Sequence, residues 1–276
     1  MAFGVGPVFA KEIMDSGIDA QSMVVLTTGV ASLGAGIVML IRRDFIRITK
    51  TQIWQLVLFC GCGEGLTVLL LANSYNHLPI GLATLFHFIY PVIVAIIMMV
   101  LFTEKISALK IIAIVSAVAG LCLIIDISGR MSIMGVLLAL GSGFTYAVYV
   151  VANRKGAYSG LPALIIVFFS TCVTCLGVAL FQIVNGRIAL PFSAREWFLV
   201  AGSGLFSHLF ALFMLTCAIR RIGASNAAIG NMLEPLTALI AGSIVYGDKI
   251  TSFAMCGCAL LLIAITLIAL NEKQLS

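Results

Sequence analysis

The sequence predicts an all-α integral membrane protein of about ten transmembrane helices, the first truncated, built as two inverted five-helix repeats. Three observations carry this. Of the 276 residues, 62% are hydrophobic and 10% charged, with a mean hydropathy of +1.17, whereas soluble domains carry roughly 25% charged residues. Apolar runs of membrane-crossing length follow one another with short connections. One stretch also recurs: 81–106, GLATLFHFIYPVIVAIIMMVLFTEKI, returns at 225–250 as SNAAIGNMLEPLTALIAGSIVYGDKI, displaced by 144 positions without a gap. Each copy is an apolar run broken near its middle by a polar residue and a proline, and each closes on an aromatic, a spacer, an acid and Lys-Ile.

A spanning helix needs about 20 apolar residues. Runs of that kind cover 20–41, 52–73, 79–102, 107–125, 131–152, 161–184, 195–218, 224–246 and 251–270. The opening, AFGVGPVFAKEIM, is a fragment of a tenth. Set against the repeat, Phe3 corresponds roughly to Phe144, and the second copy has further residues ahead of that point, so the N terminus reads as truncated or mis-started. It does not read as a signal peptide: a basic leader is absent and Lys11-Glu12 stands where cleavage would be expected. The connections leave no room for linkers or a soluble domain. Two units are expected, 1–128 and 129–276, each a five-helix repeat. An odd number of helices per unit makes the second enter the bilayer from the opposite side.

Basic residues set the orientation. With the N terminus inside, the inner connections hold Arg42, Arg43, Arg47, Lys50, Lys105, Lys110, Arg154, Lys155, Arg220, Arg221 and Lys273. The outer ones hold Lys11, Arg130, Arg187, Arg195 and Lys249. The excess predicts both termini in the cytoplasm. The net charge of +5 is spent on topology, so it points to a lipid bilayer and not to nucleic acid. The eight cysteines fall in or at the ends of apolar runs and read as small buried hydrophobes, with no disulfide and no metal. Cys172-Val-Thr-Cys175 has redox spacing but lacks the soluble βαβ setting. No cofactor is expected.

Ionisable side chains at bilayer depth are expensive, about 2.5–3.5 kcal/mol on insertion scales, and mark function by default. Here they are Glu64, His87, His208 and Glu234, joined by Tyr90 and Asn231. At the 144 offset His87 matches Asn231, Tyr90 matches Glu234 and Glu64 matches His208. Trp54 and Trp197 align at 143, so Glu64 alternatively matches Ser207. Residues 83, 87, 90 and 94 share a helix face, as do 227, 231, 234 and 238, which suggests one shared cavity binding substrate or proton. Each residue has a bland alternative. Glu234 could bond a backbone N–H freed by Pro235, Glu64 could be a buried partner of a histidine, and the others could be satisfied packing residues. Phe86, Phe88, Tyr146 and Tyr149 are candidate cavity lining, suited to an organic cation or to a flat side chain, or else simple packing groups.

With these landmarks (Tyr90-Pro91 and Glu104-Lys105, Glu234-Pro235 and Asp248-Lys249, each pair followed by a last apolar helix) the chain resembles the drug/metabolite transporter superfamily, specifically its ten-helix EamA-type group. The resemblance spans essentially the whole chain and departs at the first helix, where Phe3-Gly4 only hints at the usual start. It implies a carrier whose third, fourth, eighth and ninth helices surround a central cavity. Glu64, His87, Tyr90, His208, Asn231 and Glu234 lie on those helices.

The expected function is therefore secondary active transport of a small organic metabolite, an amino acid or related solute, by export and with proton coupling, in a prokaryotic plasma membrane. The alternatives are an uptake carrier for an organic cation such as choline, a channel, or a membrane-embedded hydrolase. Neither HExxH nor GxSxG spacing supports the last, and no GxxxxGK[ST] loop supports ATP coupling. The chain is not expected to be an enzyme.

Overall fold

A run of apolar residues becomes a helix in lipid because every backbone N–H and C=O must be satisfied internally. The computed structural model describes residues 6–43, 47–104, 107–124, 132–185, 188–246 and 251–275, and among them the regular structure is helical throughout. The first half comprises α1 (Gly6–Asp15), α2 (Ala20–Arg42), α3 (Lys50–Gln55), the π-helical turn π1 (Leu56–Cys62), α4 (Gly63–Ser74), α5 (Ile80–His87), α6 (Tyr90–Phe102) and α7 (Ala108–Ile124). The second comprises α8 (Ile133–Lys155), α9 (Ala163–Asn185), α10 (Ala194–Ser203), π2 (Gly204–Phe210), α11 (Ala211–Ile222), α12 (Ala224–Asn231), α13 (Glu234–Tyr246) and α14 (Ser252–Leu275). Phe3-Gly4, the Lys105-Ile106 and Asp248-Lys249 landmarks, Arg130, Arg187 and the expected unit boundary at 128 lie outside the described residues.

Among the described residues six helical stretches are long and apolar enough to cross a bilayer: α2, α3–π1–α4, α5–α6 from Leu82, α8, α9 and α10–π2–α11. Shorter apolar stretches occupy Ala108–Leu123 and Ser252–Leu267. The expected class of an all-α membrane protein holds. Large apolar side chains remain bare on the outer faces, Leu33, Ile41, Leu137, Ile183 and Phe198 among them, which is the surface that lipid covers. Cys62, Cys122 and Cys256 lie on this outer surface too. Of the cysteines only Cys60 is buried, so the expectation that all of them pack inside is corrected; all are free. A thiol is apolar enough to face acyl chains as readily as the core.

Local chemistry sets the helix ends. Asp19 caps α2, its Oδ1 accepting from the backbone N–H of Gln21 and Ser22 at 3.0 Å each. Thr49 and Gln52 form a capping box ahead of α3, and Ser193 caps α10 through the Glu196 N–H at 3.2 Å. The two broken helices follow from their prolines. Pro91 and Pro235 have no N–H, so the carbonyls of His87 and Asn231, four residues earlier, lose their helical donors. The chain turns over 88–89 and 232–233 before restarting. The broken pieces match in length: α5 and α12 have eight residues each, α6 and α13 thirteen, and each pair begins 144 positions apart.

The π turns do not keep that offset. Both have seven residues, but they begin at 56 and 204. A π turn leaves backbone carbonyls poorly paired. At π1 the deficit is met from the other half: Ser170 of α9 donates to the Cys60 carbonyl at 3.3 Å and Thr174 to that of Gly61 at 3.2 Å. A Cβ on Gly61 would overlap Val173, so the missing side chain lets π1 and α9 approach this closely.

Hydrogen bonds identify the two ends of the bundle. At one, Gln21 of α2 meets Asn73 of α4 at 3.1 Å, Gln182 of α9 reaches Asp19, and Arg195 pairs with Glu12 at 2.6 Å. At the other, Gln55 accepts from the Ala157 N–H at 2.7 Å. There Arg154 donates to the Arg220 carbonyl at 2.9 Å, and the Glu104 carboxylate accepts from Lys110 at 2.5 Å and from Ser225 at 3.2 Å. That second end carries Arg42, Arg43, Lys50, Lys110, Arg154, Lys155, Arg220 and Arg221 and is here termed the basic end.

Candidate functional site

A cavity of about 140 Å³ opens between the halves, lined by Glu64, His87, His208 and Glu234, four of the six residues that sequence singled out for binding. Each arrives on a different element: Glu64 just past π1, His87 as the last residue of α5, His208 within π2, and Glu234 as the first residue of α13. Every one of these positions is at or beside an interruption of α-helical geometry, where a side chain is not committed to the regular i±4 packing row. Glu64 and His208 share the cavity, and Ser207, the alternative match to Glu64, lines it as well.

The lining extends from this level toward the end opposite the basic one. It includes Met23, Val24 and Thr27 from the start of α2, and Leu71, Ala72 and Tyr75 from the close of α4. Gly6 and Ala10 of α1 complete one wall.

Glu64 is 3% exposed, and its Oε2 is sealed with no hydrogen-bond partner. A buried carboxylate oxygen left open is costly and is the unmet acceptor of the site. Ser207 Oγ is likewise sealed and unpartnered. Glu234 is half-buried, and its Oε2 lies 3.4 Å from the Asn231 Nδ2 donor, a long contact that leaves most of its accepting capacity free.

His87 is held from behind. Its Nδ1 lies 2.9 Å from Ser142 Oγ of α8, and that hydroxyl donates to the Ala139 carbonyl at 2.6 Å. With the hydroxyl proton so committed, Ser142 accepts, His87 carries its proton on Nδ1, and Nε2 is the nitrogen that can accept. The carbonyl that Pro91 frees on His87 is covered by Gly143, where a Cβ would come within 2.7 Å of it.

Of the aromatic candidates, Tyr146 lines the cavity. Its ring stands edge-on to Tyr90 at 4.7 Å between centroids and stacks with Tyr149 at 5.6 Å. Tyr90 and Tyr149 are fully buried behind it, and the Tyr90 hydroxyl donates to the Ala228 carbonyl at 3.3 Å. Phe88 is part of the main core, while Phe86 packs against a smaller cluster of Leu78, Leu82 and Ala139. Asn231 does not line the cavity itself but reaches Glu234 and lies beside the Tyr90 hydroxyl. Thr27, Thr67, Tyr75, Thr84 and Ser203 also line the cavity and were not singled out from sequence. Their signal was available in part, since Thr67 and Tyr75 follow Glu64 by three and eleven residues and so share its helix face.

The set is rich in acceptors: two carboxylates and an imidazole Nε2, with no Lys or Arg among the described lining residues. Such a site favours an ammonium group or a proton. Among the described residues no cluster of His, Cys, Asp and Glu suits a metal ion.

Comparison with known proteins places this arrangement. A solved crystal structure superposes with a TM-score of 0.82 over 100% of this chain and 97% of that one at 15% identity, a likeness of fold. Uncharacterized transporter YvbV of Bacillus subtilis (strain 168) is 27% identical over 207 residues, 72% of this chain and 66% of that protein. Uncharacterized transporter sll1319 of Synechocystis is 26% identical over 239 residues, 83% of this chain and 70% of that protein. The chain thus spans about two thirds of the length of these relatives. The model of the EamA-like transporter family matches residues 1–126 and again 133–270. The resemblance carried by the two proline-centred helices is therefore one of kinship: the chain is a multi-pass membrane transporter and belongs to the EamA-like transporter family.

Proposed function

We propose that the protein is a secondary active transporter of a small organic solute bearing an ammonium group, an amino acid or related metabolite, moved by alternating access of two inverted halves. The observation that carries this is the convergence of Glu64, His87, His208 and Glu234, two residues from each half, on one cavity. A cavity of roughly 150 Å³ holds a molecule the size of benzene, so about 140 Å³ suits a compact solute. The carboxylates bind the ammonium group or the coupling proton, and His87 Nε2 shares that proton. With the basic end in the cytoplasm, the cavity opens outward in this state; export remains the reading of the direction, which the solute and proton gradients set and a single state does not.

Choline uptake is the second reading. Tyr146 supports it, as the aromatic face beside two carboxylates, although its neighbour Tyr149 is packed away from the site.

Reconstitution in liposomes tests the proposal. Glu234→Gln and Glu64→Gln proteins should lose flux driven by a pH gradient while remaining folded. Normal flux in both would remove the carboxylates from the mechanism. Competition by neutral amino acids against choline separates the two solute classes.

A further inference from the structure

Beyond the aromatic stack, toward the basic end, lies a second buried polar cluster that the cavity does not reach. Cys60 of π1, one turn before Glu64, is fully buried, and its thiol lies 3.7 Å from Asn153 Oδ1. The Tyr158 hydroxyl lies against the same thiol, and that of Tyr149 lies beside Asn153 and Thr216 without meeting hydrogen-bond geometry. Tyr149, Asn153, Tyr158 and Thr216 are all 0% exposed. Arg220 follows Thr216 by one turn on the same face of α11, and the Arg154 hydrogen bond holds its backbone against the end of α8.

The unmet atoms of this cluster share one character. Tyr149 OH, Asn153 Nδ2, Tyr158 OH and the Nε and Nη2 of Arg220 are all buried without a hydrogen-bond partner; each can donate, the two tyrosine hydroxyls being able to accept as well. Nε and Nη2 form the edge by which a guanidinium grips a carboxylate in two parallel hydrogen bonds. The cavity has the opposite character, its unmet atoms being led by the acceptor Glu64 Oε2. Buried polar groups are normally satisfied, so neutral groups able to donate, together with one guanidinium, favour an anionic acceptor as their partner.

We infer that Cys60, Tyr149, Asn153, Tyr158, Thr216 and Arg220 form a second solute site, at the basic end, which binds a carboxylate. The inference rests on the transport reading and deepens it. A solute with an ammonium and a carboxylate finds an acceptor-rich station in the cavity and a donor-rich station on the far side of Tyr146 and Tyr149. The Tyr149 ring separates the two, its face on Tyr146 and its hydroxyl in the second site.

Cys60 reports occupancy directly. The full chain, purified in detergent, is treated with N-ethylmaleimide, and modification of Cys60 is followed by peptide mass spectrometry, with exposed Cys62 as reference. Acetate (carboxylate alone) and glycine should slow Cys60 labelling, roughly tenfold at ten times their Kd, because the free form falls in that proportion. Glycine methyl ester and sodium chloride should leave it unchanged, and phosphate should protect less than acetate. Arg220→Gln should abolish protection. Should that variant fail to fold, Asn153→Asp supplies an internal carboxylate and should make labelling indifferent to acetate.

Three results overturn the site: protection by the ester equal to that by acetate, protection by neither carboxylate, or a Cys60 that never reacts in chain that transports. The transport reading is tested apart from this, by the flux of Glu64→Gln and Glu234→Gln. Loss of flux there without acetate protection of Cys60 rejects the second site alone.

Discussion

The His87 imidazole and the Ser142 hydroxyl meet at 2.9 Å across α5 and α8, and this contact decides which nitrogen of the ring can take a proton. Ser142→Ala removes the acceptor for Nδ1–H, and a buried donor left unmet costs about 1–3 kcal/mol. The variant should unfold at lower temperature and lose much of its pH-gradient-driven flux. Unchanged flux with an unchanged melting curve would show that the tautomer at His87 has no part in transport.

Gly143 should tolerate no side chain. A Cβ there comes within 2.7 Å of the His87 carbonyl and 3.0 Å of Ile89 Cγ2, forcing α8 off the helix break. Gly143→Ala should destabilise by about 1–3 kcal/mol and depress flux. Gly177→Ala is the control: nothing lies within 4 Å of its Cβ, and replacing a mid-helix glycine there should stabilise by about 0.5–1 kcal/mol. Equal melting temperatures for the two variants would contradict the close approach.

Glu104 ties the end of α6 to the starts of α7 and α12. Lys110 is almost fully buried and Glu104 about a third exposed, so Glu104→Gln strands an ammonium with partial access of water to its partner. The expected loss is about 2 kcal/mol, below the 3–5 kcal/mol of a fully buried pair. Ser225→Ala removes only a neutral hydrogen bond and should cost about 1 kcal/mol. Thermal unfolding in detergent ranks the two. The reverse order would mean that the ion pair contributes little.

Ser170 and Thr174 supply the donors that π1 needs from α9. Ser170→Ala and Thr174→Val should each cost about 1 kcal/mol, and hydrogen exchange should speed up at 56–62 in both. Because the two hydroxyls serve neighbouring carbonyls, the double variant should depart from additivity by 0.5 kcal/mol or more. Exchange that stays slow in the double variant would show that π1 persists without α9.

Much of this was legible beforehand because lipid leaves a chain few choices. A run of about 20 apolar residues with no water to satisfy its backbone must be a helix. Pro91 and Pro235 must break theirs, and the 144-residue recurrence carries one break onto the other. Glu64, His87, His208 and Glu234 stood out because charge at that depth is expensive. The hydroxyls of the lining did not, since Ser and Thr are common in membrane helices as internally bonded residues. Thr27 does bond its own helix, to the Met23 carbonyl at 2.8 Å, and still faces the cavity.

The sequence alone determined the helices, their breaks and the few ionisable groups at depth, because each follows from local covalent chemistry and the solvent. Only the tertiary structure decided that Tyr146 reaches the cavity while Tyr90 and Tyr149 close in behind it. The same holds for the π turns, which start at 56 and 204 and so set His208 and Glu64 into one space from different registers. These outcomes depend on how helices distant in sequence interlock, at Gly61 against Val173 and Gly143 against His87. Steric fit between remote side chains leaves no local trace in the order of residues.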